Sequence, residues 1–142
     1  MAIPEPPAAV PGNARPRVLI VEDDPLNMRL FCAMVDSQGY DVLQAHDGRS
    51  ALELARQHQP DLIIMDLRLP DMSGLDVTRS LKADAATRDI AIVATTAHAV
   101  RGDERNIRAS GCDGYMAKPI AVSQLLDLIE ALLTRSPPGR LN

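Results

Sequence analysis

Three short stretches of this chain are apolar without interruption: VLIV at 18–21, LIIM at 62–65 and IAIVA at 90–94. Each has the length of a strand and is bounded by polar or turn-forming residues. Weaker runs sit at 41–45 (DVLQA) and 113–117 (DGYMA). Between these runs the apolar positions recur at helical spacing. Within 25–38, Leu26, Leu30, Phe31, Met34 and Val35 are expected to fall on one face, with Asp24 as N-cap, Pro25 at the first helical position and Gly39 as the stop. Within 121–134, Val122, Leu125, Leu126, Ile129, Leu132 and Leu133 form the clearest stripe in the chain. Residues 48–58 and 74–84 predict shorter helices. The segment 98–109 (HAVRGDERNIRA) predicts a poor one: its apolar content is thin, and Gly102 in its interior costs about 1 kcal/mol against Ala.

The pattern is strand then helix, repeated five times. Continuous apolar runs suit strands buried on both faces, so the expected architecture is α/β: a parallel sheet with helices on each side. Ligands of open sheets in this class bind at the carboxyl ends of the strands. In this chain those ends carry polar chemistry. The first apolar run is followed by Glu22, Asp23 and Asp24, the third by Asp66, the fourth by Thr95 and Thr96, and the fifth by Lys118.

Taken singly, an Asp or Thr after a strand is usually a turn former or helix cap, and a Lys is usually a solvated surface charge. Their arrival together at one edge is what favours a site. Carboxylates of Glu22, Asp23 and Asp66 about 4 Å apart would repel by roughly 4 kcal/mol per pair at an effective dielectric near 20. Lys118 offsets only part of that charge. An all-oxygen, incomplete cage selects Mg²⁺ or Mn²⁺ rather than zinc. Asp66 is then a candidate nucleophile for a phosphoryl group, with Lys118 and the Thr96 hydroxyl to bind its oxygens.

Composition narrows the function classes. The net charge is −4 and there is no basic stripe, which argues against nucleic-acid binding. The aromatics are only Phe31, Tyr40 and Tyr115, too few for a base-stacking surface. Cys32 and Cys112 fit no metal or redox spacing and are expected to be ordinary reduced thiols, consistent with a cytoplasmic location. No apolar run approaches the ~20 residues of a membrane span, and the N-terminus lacks a signal-peptide pattern. Residues 1–16, with five prolines and one glycine, are expected to form a disordered leader, and 136–142 (SPPGRLN) a flexible tail. The single domain is expected over 17–135. His46 and His58 are expected on the surface.

The ordered set "VEDD", "MDLRLPDMSG", "TTA" and "KP", with Asp66, Thr96 and Lys118 at matching spacing, closely resembles the receiver domain of bacterial two-component response regulators. The stretches "VEDDPLNMRLF" and "GCDGYMAKPI" look especially like the DivK-type single-domain regulators. The resemblance implies a flavodoxin-like three-layer fold with five strands in the order 2-1-3-4-5 and five helices. It implies Asp66 as phosphoacceptor, with Mg²⁺ (or Mn²⁺) held by Asp23 directly, by Glu22 through water, by Asp66 and by the backbone carbonyl of Arg68. It further implies Thr96 as the switch hydroxyl, Lys118 as the phosphate-binding lysine, Tyr115 as the switch aromatic, and a cis Lys118–Pro119 bond. Arg68 and His98 occupy the variable positions flanking the path of attacking water and are candidate tuners of phosphoryl lifetime.

The implied partners are a sensor histidine kinase or a histidine phosphotransfer protein, with no nucleic acid and no membrane. The implied state is a monomer or weak phosphorylation-dependent dimer, signalling through the fourth helix, fifth strand and fifth helix, with no output domain. A haloacid-dehalogenase-type phosphatase would want an Asp where Arg68 stands. A flavin-binding flavodoxin would want a Ser/Thr-rich loop where the acids stand.

Overall fold

The three uninterrupted apolar runs form the centre of one sheet, and the two weaker runs form its edges. The computed structural model describes residues 15–97 and 101–134. Ten elements alternate along the chain: β1 (Arg17–Val21), α1 (Pro25–Asp36), β2 (Asp41–Ala45), α2 (Gly48–His58), β3 (Leu62–Asp66), α3 (Gly74–Ala83), β4 (Ala91–Thr96), α4 (Arg101–Ala109), β5 (Gly114–Ala117) and α5 (Val122–Thr134). All strand pairs are parallel, in the order β2-β1-β3-β4-β5.

That order explains the uneven signal in the sequence. β1, β3 and β4 each have a neighbour on both sides, and residues 18–21, 62–66 and 91–96 are all buried. The edge strands β2 and β5 are only partly covered, so they tolerate Asp41, Gln44 and Gly114. Successive residues of each central strand point to opposite faces. Val18, Ile20, Leu62, Ile64 and Val93 pack with Met28, Phe31 and Val35 of α1 and Leu125 and Ile129 of α5. Leu19, Val21, Ile63, Met65 and Ile92 pack with Ala51 and Ala55 of α2 and Val77 and Leu81 of α3. The three-layer sandwich is therefore built from two aliphatic cores, one on each face of the sheet.

The helix caps follow the residue chemistry. The Asp24 carboxylate accepts the amide of Asn27 at 2.9 Å, and Pro25 opens α1. α1 ends at Asp36, before the expected boundary, because the amides of Gln38 and Gly39 turn back to Val35 and Asp36 and Gly39 takes φ 85°.

One expectation is corrected. The buried face of α1 carries Met28, Phe31 and Val35, whereas Leu26 and Leu30 are 61% and 51% exposed. Two apolar stripes lie side by side on this helix, and only contact with the sheet decides which one is buried. Leu30 and Met34 instead line a surface groove with Asn27, Phe31, Lys118, Pro119 and Ile120, of about 170 Å³. Val122 is likewise 49% exposed although it continues the α5 stripe. β3 and β4 run on to Asp66 and Thr96, so these residues close their strands rather than follow them. The expected leader lies outside the described residues except for Arg15 and Pro16, as does the tail.

Candidate functional site

Parallel register brings the strand ends into line. Val21 pairs with Met65, Asp66 with Thr95, and Thr96 with Ala117. The chain just past the strands stays anchored: the Glu22 amide donates to Ala45 O at 3.0 Å, the Leu67 amide to Thr95 O at 3.1 Å and the Lys118 amide to Thr96 O at 2.7 Å. Four stretches distant in sequence thus present Glu22, Asp23, Asp66, Thr96 and Lys118 at one edge.

The carboxylates of Glu22, Asp23 and Asp66 converge so that one oxygen from each lies within 4.8 Å of the others. Glu22 is 1% exposed and Asp66 5%, while Asp23 faces solvent. Lys118 Nζ donates to Glu22 Oε1 at 3.0 Å and lies 3.5 Å from Asp66 Oδ1. The second oxygen of Glu22 accepts the amide of Asp24 at 3.1 Å, and Asp66 Oδ1 accepts the amide of Arg68 at 3.2 Å. Burial pushes the Asp66 carboxyl up to about 6, and the neighbouring Glu22 charge adds to the shift against the opposing pull of the Arg68 amide and Lys118. One ammonium faces three carboxylates, so the cluster carries uncompensated negative charge. An all-oxygen donor set, part buried and part open, fits a hard divalent cation that keeps some of its water.

Gly74 lets the loop after β3 return to the strand end. A Cβ at Gly74 would lie 2.2 Å from the carbonyl oxygen of Asp66 and 2.8 Å from the Cα of Leu67. Its amide donates to Leu67 O at 3.0 Å, and Arg68 and Ser73 form an antiparallel bridge. The loop is therefore a closed turn with Arg68 at its inner end. The Arg68 side chain is exposed.

Of the remaining sequence candidates, Thr96 is buried at the end of β4. Tyr115 is half-buried on β5, with the Arg108 guanidinium 5.6 Å from its ring centroid. The Lys118–Pro119 bond is cis. Asp24 is a helix cap, and His46 and His58 are exposed. Cys32 and Cys112 are half-buried free thiols. His98 lies outside the described residues, as does the start of the segment 98–109. Among the described residues no helix is long and apolar enough to cross a membrane.

Two features had no sequence signal of their own. Asp71 binds the N-terminus of α2 from the loop after β3. Lys82 joins α3 to Asp113 at 3.1 Å and to the carbonyls of Arg88 and Ile90 at 3.1 and 2.7 Å, at the other end of the sheet. Each pair is distant in sequence, so no local pattern announces it.

The chain is similar in sequence and fold to known proteins. The family model described as the response regulator receiver domain matches residues 18–130. The polar-differentiation response regulators DivK of Brucella anthropi and Brucella ovis are each 47% identical over 116 residues, covering 82% of this chain and 94% of theirs. The receiver domain of a sensor histidine kinase from Pseudomonas aeruginosa, solved with a magnesium ion coordinated in its active site cleft, superposes with a TM-score of 0.80 at 35% identity, over 86% of this chain and 100% of that one. A response regulator structure from Chloroflexus aurantiacus superposes with a TM-score of 0.82 at 26% identity, over 85% of this chain and 99% of that one. A strand order, an acidic edge and a family match spanning both cores agree: the chain belongs to the response regulator receiver domain family and is DivK-like.

Proposed function

We propose that this protein is a stand-alone receiver that accepts a phosphoryl group on Asp66 and signals through phosphorylation-dependent protein contacts. The observation that carries the proposal is the convergence of the Glu22, Asp23 and Asp66 carboxylates within 4.8 Å, with Lys118 bridging two of them. On this reading Asp23, Asp66 and the Arg68 carbonyl would hold Mg²⁺ (or Mn²⁺ in its place), and Glu22 would act through water. When bound, the cation neutralises charge on the carboxylates and on the incoming phosphoryl oxygens.

The chain's own residues do the rest. An Asp66 carboxylate oxygen attacks the phosphorus of a phosphohistidine on a sensor kinase or phosphotransfer protein. A P–O bond forms, the P–N bond breaks, and its electron pair returns to the imidazole, which takes up a proton. Lys118 and the Thr96 hydroxyl bind the transferred oxygens. Water later cleaves the acyl phosphate, and Arg68 and His98 tune the lifetime. The protein is thus not an enzyme on other substrates; it catalyses only its own phosphotransfer and autodephosphorylation.

Signalling follows from charge added at the end of β3. Thr96 moves toward the phosphoryl group, Tyr115 repacks, and the α4–β5–α5 face changes for a protein partner. We assign it to the cytoplasm, as a monomer or weak phosphorylation-dependent dimer, without nucleic-acid or membrane partners. Intact mass after incubation with a small acyl phosphate tests the reading. One phosphoryl adduct that requires both Mg²⁺ and Asp66 is expected. An adduct that survives Asp66→Asn or chelation of the metal overturns it.

A further inference from the structure

Asp71 makes a contact that its own loop does not need. Its Oδ1 accepts the amide of Gly48 at 2.8 Å and its Oδ2 the amide of Arg49 at 3.0 Å, the first two residues of α2. The helix already has an N-cap from its own segment, Asp47, which accepts from the amide of Ser50 at 2.9 Å and from its hydroxyl at 2.6 Å. Asp71 therefore satisfies two amides that Asp47 leaves open, from 23 residues away in the chain. The next residue, Met72, lies over Gly48: a Cβ there would sit 2.4 Å from Met72 Cγ. The tip of the loop after β3 is thus pinned to α2 by two hydrogen bonds and one packing contact.

The base of the same loop touches the phosphoacceptor. The Arg68 amide donates to Asp66 Oδ1 at 3.2 Å, and the bridge to Ser73 ties Arg68 to the returning limb that carries Asp71 and Met72. The loop is short and cross-linked, so freedom at its tip is transmitted to Arg68.

We infer that Asp71 is a positioning residue for the phosphoacceptor site: by gripping the α2 N-terminus it holds the Arg68 backbone against Asp66. This deepens the function proposed above and rests on it where the metal is concerned, because the Arg68 carbonyl is there a metal ligand. The Arg68–Asp66 contact itself stands on geometry alone.

The test compares Asp71→Ala with Asp47→Ala in the full chain. Each removes a carboxylate that caps the same helix end, so both lower the melting temperature, but only Asp71 reaches the loop. Hydrogen exchange at the Arg68 amide in metal-free protein is expected to speed up several-fold in Asp71→Ala and to stay at the wild-type rate in Asp47→Ala. Mn²⁺ affinity, read as free ion by electron paramagnetic resonance, is expected to fall about tenfold in Asp71→Ala alone, as for other residues that orient a metal ligand. Asp71→Asn, which keeps one acceptor, gives the same contrast in weaker form should the alanine variant not fold.

Equal Arg68 exchange in the Asp71 and Asp47 variants overturns the inference. If the wild type itself fails to bind Mn²⁺, the proposed function falls, while the exchange comparison still decides the role of Asp71.

Discussion

Lys118 Nζ sits 3.0 Å from Glu22 Oε1 but 3.5 Å from Asp66 Oδ1. The lysine bridges both carboxylates, with its shorter contact to the buried acid just past β1 and its longer one to the carboxylate proposed to take the phosphoryl group. Among the described residues, Glu22 otherwise accepts only from the amide of Asp24. Lys118→Met leaves a nearly fully buried carboxylate without its cation. Loss of a charged hydrogen-bond partner at a buried acid costs about 1–3 kcal/mol. Denaturant unfolding of metal-free protein is expected to fall by that amount, and adding Mg²⁺ is expected to restore part of it. Unchanged stability would mean that Glu22 finds another partner.

Asp66 makes the metal-free protein sensitive to pH. Its carboxyl titrates at about 6 in the fold against an ordinary 3.8, chiefly through burial and then through Glu22. Between these values the folded state holds a proton that the unfolded state has lost. Stability is therefore fully present below pH ~4 and declines as pH rises through ~6. Asp66→Asn removes this slope and is expected to stabilise the metal-free protein at pH 7 by about 1–3 kcal/mol. Melting temperatures across pH 4–8 in chelator should show the two curves meeting at the acid end and separating above it.

Gly74 tolerates no side chain. Its virtual Cβ meets backbone atoms of Asp66 and Leu67, which cannot swing aside. Gly74→Ala is expected to destabilise by about 1–3 kcal/mol, the range for overpacking, and to shift the backbone amide signals of residues 66–68. A variant with wild-type stability and unshifted signals would contradict the close approach.

The choice between the two stripes of α1 can be read out directly. Phe31 is 3% exposed and Leu30 51%. Phe31→Ala is expected to cost about 3–5 kcal/mol, whereas Leu30→Gln should stay within about 0.5 kcal/mol of wild type, as surface changes usually do. Equal losses would place Leu30 in the core after all.

Much of this protein was legible one segment at a time. The periods of apolar residues are local, so five strand–helix units and their order in the chain follow from VLIV, LIIM, IAIVA and the stripes between them. Ionisable residues where the apolar runs stop pointed to the acidic cluster of Glu22, Asp23 and Asp66, because strands of a parallel sheet all end at the same edge. The caps at Asp24 and Pro25 are set by neighbouring residues and were equally visible.

What the tertiary structure decided depends on which faces meet. Leu26 and Leu30 have the same hydrophobicity as a core leucine, and only the approach of α1 to the sheet leaves them outside. The Glu22 partner of Lys118 is 96 residues away, and Asp71 reaches α2 across 23. Asp113 meets Lys82 across 31. Pairings of this kind carry no period and no local propensity. They exist because packing two cores against one sheet brings these residues within hydrogen-bonding distance, and at buried Glu22 an unpartnered charge would be too costly to leave.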